Sequence, residues 1–363
     1  MKVLDRWRPS LRFGLVLGLI ALASGCAEHK SVMRYTPQGN VPDSKLVWPS
    51  PPDTARFRFV GELYGEQNFV LEEGESTGKK VTSFFRWVVG MDGGGDDPVV
   101  LQRPQSGTVD ESGRIYVTDV SRSAVYVFDE AKGKLDVWEF ADGLRRFNSP
   151  IGIAVKADGQ VLVADAALGV VVRLDRDGEP QGAIGKGVLK RPTGLAWDPL
   201  KKWIYVADTY GHDIKVFDEQ GGLIKTIGQR GEGDGELNFP THLTFAAGEL
   251  YVSDTMNSRV QVFDGDGKFV RKLGERGLHM GDLVRPKGVA VDDEGHAYVV
   301  ESYYDYVLIY NKQGEFLMPI GGTGAREGQF YLPAGIWIDK RNRVFVADMF
   351  NGRIEIFQFL GGS

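Results

Sequence analysis

The sequence predicts an all-β fold, a six-bladed β-propeller with four-stranded antiparallel blades, from three observations. Glycine accounts for 48 of the 363 residues, about twice its usual share of ~7%, which indicates many tight turns. Prolines recur every 42 to 48 residues, and a strand-like run ending in an acid follows each of them after a similar interval. Four strands fill a repeat of this length. The acids are Asp119, Asp165, Asp208, Asp254, Glu301 and Asp348.

The two ends of the chain are predicted to close the ring. Residues 214–217 and 260–263 alternate apolar and polar side chains, as strands with two different faces do. The last repeat has only three such runs, because the chain ends six residues after Phe357. Residues 55–65 contain a spare strand-like run. We expect this run to become the fourth strand of the last blade, which closes the ring of the propeller at 104–360 and removes two exposed edges.

The amino terminus is predicted to be an export signal. Four basic residues precede an apolar run of 11 residues at 13–23, which is shorter than the ~20 residues of a membrane-spanning helix. Residues 22–26 resemble a bacterial lipobox, which implies cleavage before Cys26 and acylation of its sulfur. Ala27 then favours transport to the outer membrane of the cell envelope. An ordinary secretory signal with a chance cysteine is the alternative.

Two further segments lie between this signal and the first blade. Residues 26–54, with five prolines, are predicted to form a tether from the anchor. Within an insert at 66–103, Val81, Phe84, Phe85, Val88 and Val89 lie on one face of a predicted amphipathic helix at 78–90. That face either docks onto the propeller or contacts a partner or the membrane.

The charge balance disfavours two classes of partner. Without residues 1–25 the chain has 39 basic and 48 acidic residues, a net charge of −9. A broad basic face for nucleic acid is therefore not expected. Binding to anionic lipid by charge alone is not expected either. The lipid on Cys26 is the predicted membrane contact.

Three stretches resemble the NHL repeat: residues 254–260 and 348–354, which share an Asp-x-x-Asn-x-Arg pattern, and the glycine-rich stretch 321–333. The resemblance covers about residues 100–360 and implies a propeller fold. It implies no single activity, because proteins that share a propeller differ widely in function. The acids are expected to brace the blades by accepting backbone hydrogen bonds. Arg259 and Arg353 are expected to pair with acids of the loops.

Deviations from the repeat are the candidate ligand-binding residues. Two residues after each proline stand Ser106, Gly152, Gly194, His242, Gly288 and Gly335, among which His242 is the outlier. We predict an aromatic, weakly acidic pocket at the channel mouth, across the third to sixth blades. The candidate residues are His242, Glu301, Tyr303, Tyr304, Tyr210, His212, Met256 and Phe350.

Two functions are compatible with this pattern. The first is a membrane-anchored, non-catalytic binding or scaffold propeller for a protein, peptide or glycan. The second is a lyase or lactonase type of enzyme with zinc or calcium in the channel. Similar propeller lyases hold zinc with three histidines, and only His242 occupies a comparable position here. We predict no catalytic residue and no cofactor, and there is no G-x-S-x-G nucleophile motif.

Overall fold

The structure is a computed structural model that describes residues 31–35, 46–71 and 99–361. Six antiparallel sheets surround a central channel, so the predicted six-bladed propeller is confirmed. The predicted signal peptide, Cys26 and the amphipathic segment 78–90 lie outside the described residues. No described segment forms a helix with the length and apolar content needed to cross a bilayer.

The elements are numbered in chain order. Four short strands come first: β1 (Ser31–Met33), β2 (Val47–Trp48), β3 (Phe57–Leu63) and β4 (Phe69–Leu71). Blade 1 contains β5 (Pro104–Val109), β6 (Ile115–Asp119), β7 (Ala124–Asp129) and β8 (Lys134–Trp138). Blade 2 contains β9 (Pro150–Val155), β10 (Val161–Asp165), β11 (Val170–Leu174) and β12 (Pro180–Ile184). Blade 3 contains β13 (Pro192–Asp198), β14 (Trp203–Asp208), β15 (Asp213–Phe217) and β16 (Leu223–Ile227).

The remaining blades follow the same order. Blade 4 contains β17 (Pro240–Ala246), β18 (Glu249–Asp254), β19 (Arg259–Asp264) and β20 (Phe269–Leu273). Blade 5 contains β21 (Pro286–Val291), β22 (Ala297–Glu301), β23 (Tyr306–Tyr310) and β24 (Phe316–Gly321). Blade 6 contains β25 (Ile336–Ile338), β26 (Arg343–Asp348) and β27 (Arg353–Phe359), and single 3-10 turns occupy Glu66–Asn68 and Thr255–Asn257.

The amino-terminal strand closes the ring as predicted. β3 pairs antiparallel with β27, from Ile354 opposite Leu63 to Phe359 opposite Phe57. The short strand β2 then adds to the outer edge of β3, which makes the sixth blade five-stranded rather than four-stranded. The last blade therefore combines residues from both ends of the described chain.

The proline and acid of each repeat meet at the same end of the blade. In blades 1 to 5 the proline that begins the innermost strand lies opposite the acid that ends the second strand. Successive chain reversals lie alternately on the two faces of the ring. The returns between blades and the loops after the acids consequently share one face, which we call the acid face, and the other turns share the opposite face.

The part of the predicted tether that the structure describes packs against the ring. β1 pairs with β4, and Met33 and Phe69 join the core around blade 1. Trp48 packs edge-on against Phe357 with ring centroids 5.3 Å apart. Burial of these apolar side chains stabilises the packed conformation relative to an extended, solvated tether.

A buried charge cluster holds the two chain ends together. The Arg353 guanidinium contacts Glu62 of β3, Asp348 at 2.8 Å and Glu355 at 2.8 Å. In blade 4 the equivalent Arg259 pairs with one carboxylate, Asp254, also at 2.8 Å. The extra carboxylate pair therefore marks the blade where the ring is joined.

We expect Arg353→Met to destabilise the protein more than Arg259→Met. Removing one partner of a buried ion pair leaves charge uncompensated and costs about 3–5 kcal/mol. Arg353→Met leaves three carboxylates without their cationic partner, whereas Arg259→Met leaves one. Urea unfolding of the two variants measures the difference, and equal losses would contradict the role of Arg353 in ring closure.

We also expect the stability of Glu355→Gln, relative to that of the unmodified protein, to increase as the pH rises. Burial raises the pKa of Glu355 well above its usual value, Arg353 opposes the rise, and Asp348 and Glu62 add to it. A raised folded-state pKa gives stability that is fully present below the unfolded value of about 4.3 and is lost as pH rises through the folded value.

Glutamine keeps an acceptor for the Gly328 N–H and does not titrate. The stability of Glu355→Gln relative to the unmodified protein should therefore increase between pH 5 and pH 8, by about 1.4 kcal/mol for each unit of raised pKa within that range. Denaturant midpoints at the two pH values test this. A difference that does not change with pH would show that Glu355 is ionised throughout.

Candidate functional site

The repeat acids are buried braces of the acid face. Asp119 accepts N–H groups of Gln102 and Arg103 in the preceding return, at 2.6 and 2.8 Å, and of Ser121 and Arg122 in the following loop. Glu301 accepts three backbone N–H groups in the same way, although burial raises its pKa. The six carboxylates point inward and fix the loops around them. They are Asp119, Asp165, Asp208, Asp254, Glu301 and Asp348.

The aromatic candidates lie on the loops that these acids hold. Tyr210 and His212 both pack against Phe239, at centroid distances of 6.1 and 4.4 Å. His212 Nδ1 also accepts the Phe239 N–H at 3.3 Å, and burial together with nearby Arg230 and Lys190 lowers its pKa. In blade 5, Tyr303 and Tyr304 meet edge-to-face at 4.9 Å.

The candidates of blades 4 and 6 are also exposed. Phe350 packs against Tyr331 at 5.5 Å. Met256 is 53% exposed, and its backbone carbonyl accepts a hydrogen bond from Arg276 at 2.8 Å. The structure therefore brings the loop candidates of blades 3 to 6 onto one face, as small exposed clusters rather than as one contiguous pocket.

Arginines on this face were missed in the sequence. Arg103, Arg191 and Arg285 directly precede the prolines of blades 1, 3 and 5. The guanidinium of Arg103 lies 5.1 Å from the centroid of Phe350, and that of Arg191 lies 5.2 Å from the centroid of Tyr210. The repeated Arg-Pro pair is the signal that identifies them. The repeat acids are buried whereas Arg103 and Arg285 are exposed, so the predicted pocket, which stays a prediction, has cations as well as aromatic rings beside it.

His242 lines the channel at the position that is glycine in most blades. Glycines occupy the same position in four other blades, where the innermost strands approach closely: a Cβ at Gly152 would lie 2.2 Å from the Thr193 carbonyl oxygen. His242 is 8% exposed, and burial followed by the charge of Lys287 lowers its pKa to about 3. Its Nδ1 lies 3.2 Å from Thr241 Oγ1, and its Nε2 has no hydrogen-bond partner among the described residues.

Beyond His242 the channel contains a cavity of about 300 Å³ lined by all six innermost strands. Trp197, Phe245 and Trp337 supply its aromatic walls. The indole Nε1 atoms of Trp197 and Trp337 are buried and have no acceptor in the described part of the chain. Within residues 31–35, 46–71 and 99–361, no group of three or more His, Cys, Asp or Glu residues is arranged to hold a metal ion.

The opposite mouth of the channel differs because its charges are paired. A cavity of about 650 Å³ opens there. Arg343 pairs with Asp339 at 2.7 Å, and Lys156 pairs with Glu219 at 3.1 Å. Side chains already neutralised by one another have less to gain from a charged ligand. The acid-face mouth is therefore the stronger candidate site.

Comparison with known proteins supports the repeat assignment. No family model matches the chain. A segment of 55 residues, 15% of the chain, is 40% identical to NHL repeat-containing protein 2 of Gallus gallus. The matched segment spans 8% of the length of that relative.

Solved structures with the same fold include enzymes and a binding protein. Virginiamycin B lyase from Staphylococcus aureus is 15% identical with a TM-score of 0.54, covering 71% of this chain and 96% of that one. A gluconolactonase of Xanthomonas campestris is 18% identical with a TM-score of 0.54, covering 71% and 86%. An auxiliary nutrient binding protein from Bacteroides thetaiotaomicron is 13% identical with a TM-score of 0.57, covering 73% and 71%. At these identities the likeness concerns the fold alone. The six-bladed ring and the match to an NHL repeat-containing protein together support an NHL-repeat β-propeller.

Proposed function

We propose that the chain is a membrane-anchored, non-catalytic binding propeller whose ligand or partner binds the acid-face mouth. The observation that supports this most is the set of exposed aromatic side chains and outward-pointing arginines around His242. Aromatic and arginine side chains dominate the binding energy of many interfaces. The partner is a protein, a peptide or a glycan.

The buried braces suit the mouth for recognition. In blades 1, 2 and 5 the carboxylate accepts backbone hydrogen bonds from both sides, as Asp119 does with Gln102 and Ser121. In blades 3, 4 and 6 the backbone donors lie in the preceding return. A loop ordered before binding loses little conformational freedom on binding, which improves affinity. The ring therefore presents the exposed side chains in fixed positions.

The start of the described chain supports an anchor on the side away from this mouth. The Ser31 backbone lies against the turn at Gly133, and Tyr35 donates a hydrogen bond to Glu130 at 2.8 Å. Both contacts are on the opposite face. Cys26 is five residues from Ser31, a reach of at most ~18 Å. In this arrangement the opposite face is turned toward the bilayer and the acid face outward.

Photo-crosslinking in intact cells tests the binding face. A photoreactive amino acid replacing Tyr303 or Tyr210, which are both 55% exposed, should give a discrete adduct. Replacing Leu200, a 90% exposed residue of the opposite face, should not give that adduct. Mass analysis of the adduct identifies a protein, peptide or glycan. Identical adducts from both faces, or none from either tyrosine, would contradict the proposal.

A Cys26→Ser variant tests the anchor. Without the thiol that accepts the lipid, the exported chain should move from the membrane fraction to the soluble fraction. Cell fractionation with immunodetection measures this, with the unmodified protein as the control. A variant that stays with the membrane as fully as the unmodified protein would show that another contact holds it there.

The alternative is a propeller enzyme of the lyase or lactonase type with zinc or calcium in the channel. The observation in its favour is the unpartnered Nε2 of His242, because a neutral imidazole nitrogen is a common metal ligand. Metal analysis of the purified protein separates the two functions. One tightly held zinc or calcium per chain would favour the enzyme.

A further inference from the structure

The tautomer of His242 follows from a chain of hydroxyl groups. Thr255 Oγ1 lies 2.8 Å from the Pro286 carbonyl oxygen. Because a carbonyl oxygen can only accept, Thr255 donates its single hydroxyl proton to it. Thr241 Oγ1, 2.7 Å from Thr255 Oγ1, must then be the donor of that pair. Thr241 has no second proton for His242 Nδ1, which is 3.2 Å away. His242 Nδ1 therefore carries the proton.

The other ring nitrogen is then a buried acceptor without a donor. The buried environment favours the neutral ring, so Nε2 of His242 carries a lone pair rather than a proton. No group in the described residues donates to it. The Gln105 backbone on the far side of the channel favours a protonated ring slightly, but it makes no hydrogen bond of normal geometry to Nε2. An unsatisfied acceptor of this kind is costly unless a ligand or water supplies a donor.

Three cations act on the same region: the charge of Lys287 reaches His242, and the charges of Arg285 and Arg103 reach Lys287. Lys287, the residue after Pro286 on β21, is partly buried. Its burial, and then the charges of Arg285 and Arg103, lower its pKa. Within the described ranges, none of these three side chains has an ion pair or a hydrogen bond to a carboxylate. Arg285 is partly compensated by the buried Glu301, whereas Lys287 and Arg103 have no carboxylate partner among the described residues.

The unpaired acceptor of His242 and the three nearby cations together indicate which chemical groups a ligand needs. The cations require an oxyanion, and arginines bind a carboxylate in a bidentate manner. The Nε2 lone pair requires a donor, and an ammonium donor would be repelled by Lys287 and the arginines. A hydroxyl group satisfies the acceptor without adding positive charge.

We propose that the acid-face mouth binds a hydroxyl-bearing carboxylate, the class that includes uronic acids. Lys287, Arg285 and Arg103 bind the carboxylate, and a ligand hydroxyl donates to Nε2 of His242. Phe350, which packs beneath Arg103, offers an aromatic surface to the apolar face of a sugar ring. This inference rests on the proposed function, because it assigns a ligand chemistry to the proposed binding face.

Calorimetry with three probes separates the two features of the ligand. Glucuronate carries both the carboxylate and hydroxyls, glucose carries hydroxyls only, and acetate carries a carboxylate only. Glucuronate should bind at least about tenfold more tightly than either, because a hydrogen bond to a charged group contributes about a factor of ten or more. Equal affinities for the three probes would overturn the proposal.

Matched variants test the residues. Lys287→Met should weaken glucuronate binding about tenfold or more, whereas Lys268→Met removes the same charge from an exposed turn of the opposite face and should leave binding unchanged. His242→Leu should weaken binding while keeping or raising the melting temperature, because it removes an unsatisfied buried acceptor. Equal binding by the two lysine variants, or unchanged binding by His242→Leu, would overturn the proposal.

The outcomes also separate this inference from the proposed function. If glucuronate fails to bind but crosslinked adducts still form at Tyr303 and Tyr210, the ligand chemistry is wrong and the binding face stands. If both experiments fail, the proposed function fails as well.

Discussion

Ring closure is the constraint on which the rest of the structure depends. The last blade is complete only when both ends of the described chain meet in one sheet, and here β3 pairs with β27 to meet that condition. Arg353 joins the two strands by contacting Glu62 on one and Glu355 on the other. Because the seam is fixed, every innermost strand has a neighbour on both sides, and the channel keeps one diameter and one pair of mouths.

The same architecture determines the charge of the acid face. A repeat in which a strand of every blade ends in an acid suggests a negatively charged face. Each carboxylate instead accepts backbone N–H groups and is buried, as Asp165 is by the N–H groups of Asn148, Ser149, Ala167 and Leu168. The side chains that remain near the mouth include Arg103, Arg285 and Lys287, while exposed acids such as Glu232 and Asp234 lie on the returns of the same face. The chain, although acidic overall, therefore presents a locally cationic mouth.

The sequence predicts the fold well because its markers are periodic. Spaced prolines and acids gave the number of blades, and the missing fourth strand of the last repeat pointed to residues 55–65. His242 was visible as a departure from a glycine position. The packing of Met33 and Trp48 was not predicted, because prolines around them indicated a solvated tether and only the folded ring supplies the apolar surface that buries them.

The charge of the mouth was harder to predict for a physical reason. The backbone role of the repeat acids was predicted, but which cations stand beside them depends on how the strands of neighbouring blades are placed, which composition does not contain. The tautomer of His242 depends on a chain through Thr241 and Thr255 that crosses from one blade to the next. Such contacts are set by the distance between blades, which no local pattern in the sequence records.

Nitrogen-15 NMR of the histidine rings tests the account most directly. We expect His242 to be neutral between pH 5 and pH 8, with the proton on Nδ1, and we expect its Nε2 resonance to shift when glucuronate is added. His296 lies on the opposite face beside Asp292 and should not respond to the ligand. A His242 ring that titrates near pH 6.5, or that carries its proton on Nε2, would contradict the account of the mouth.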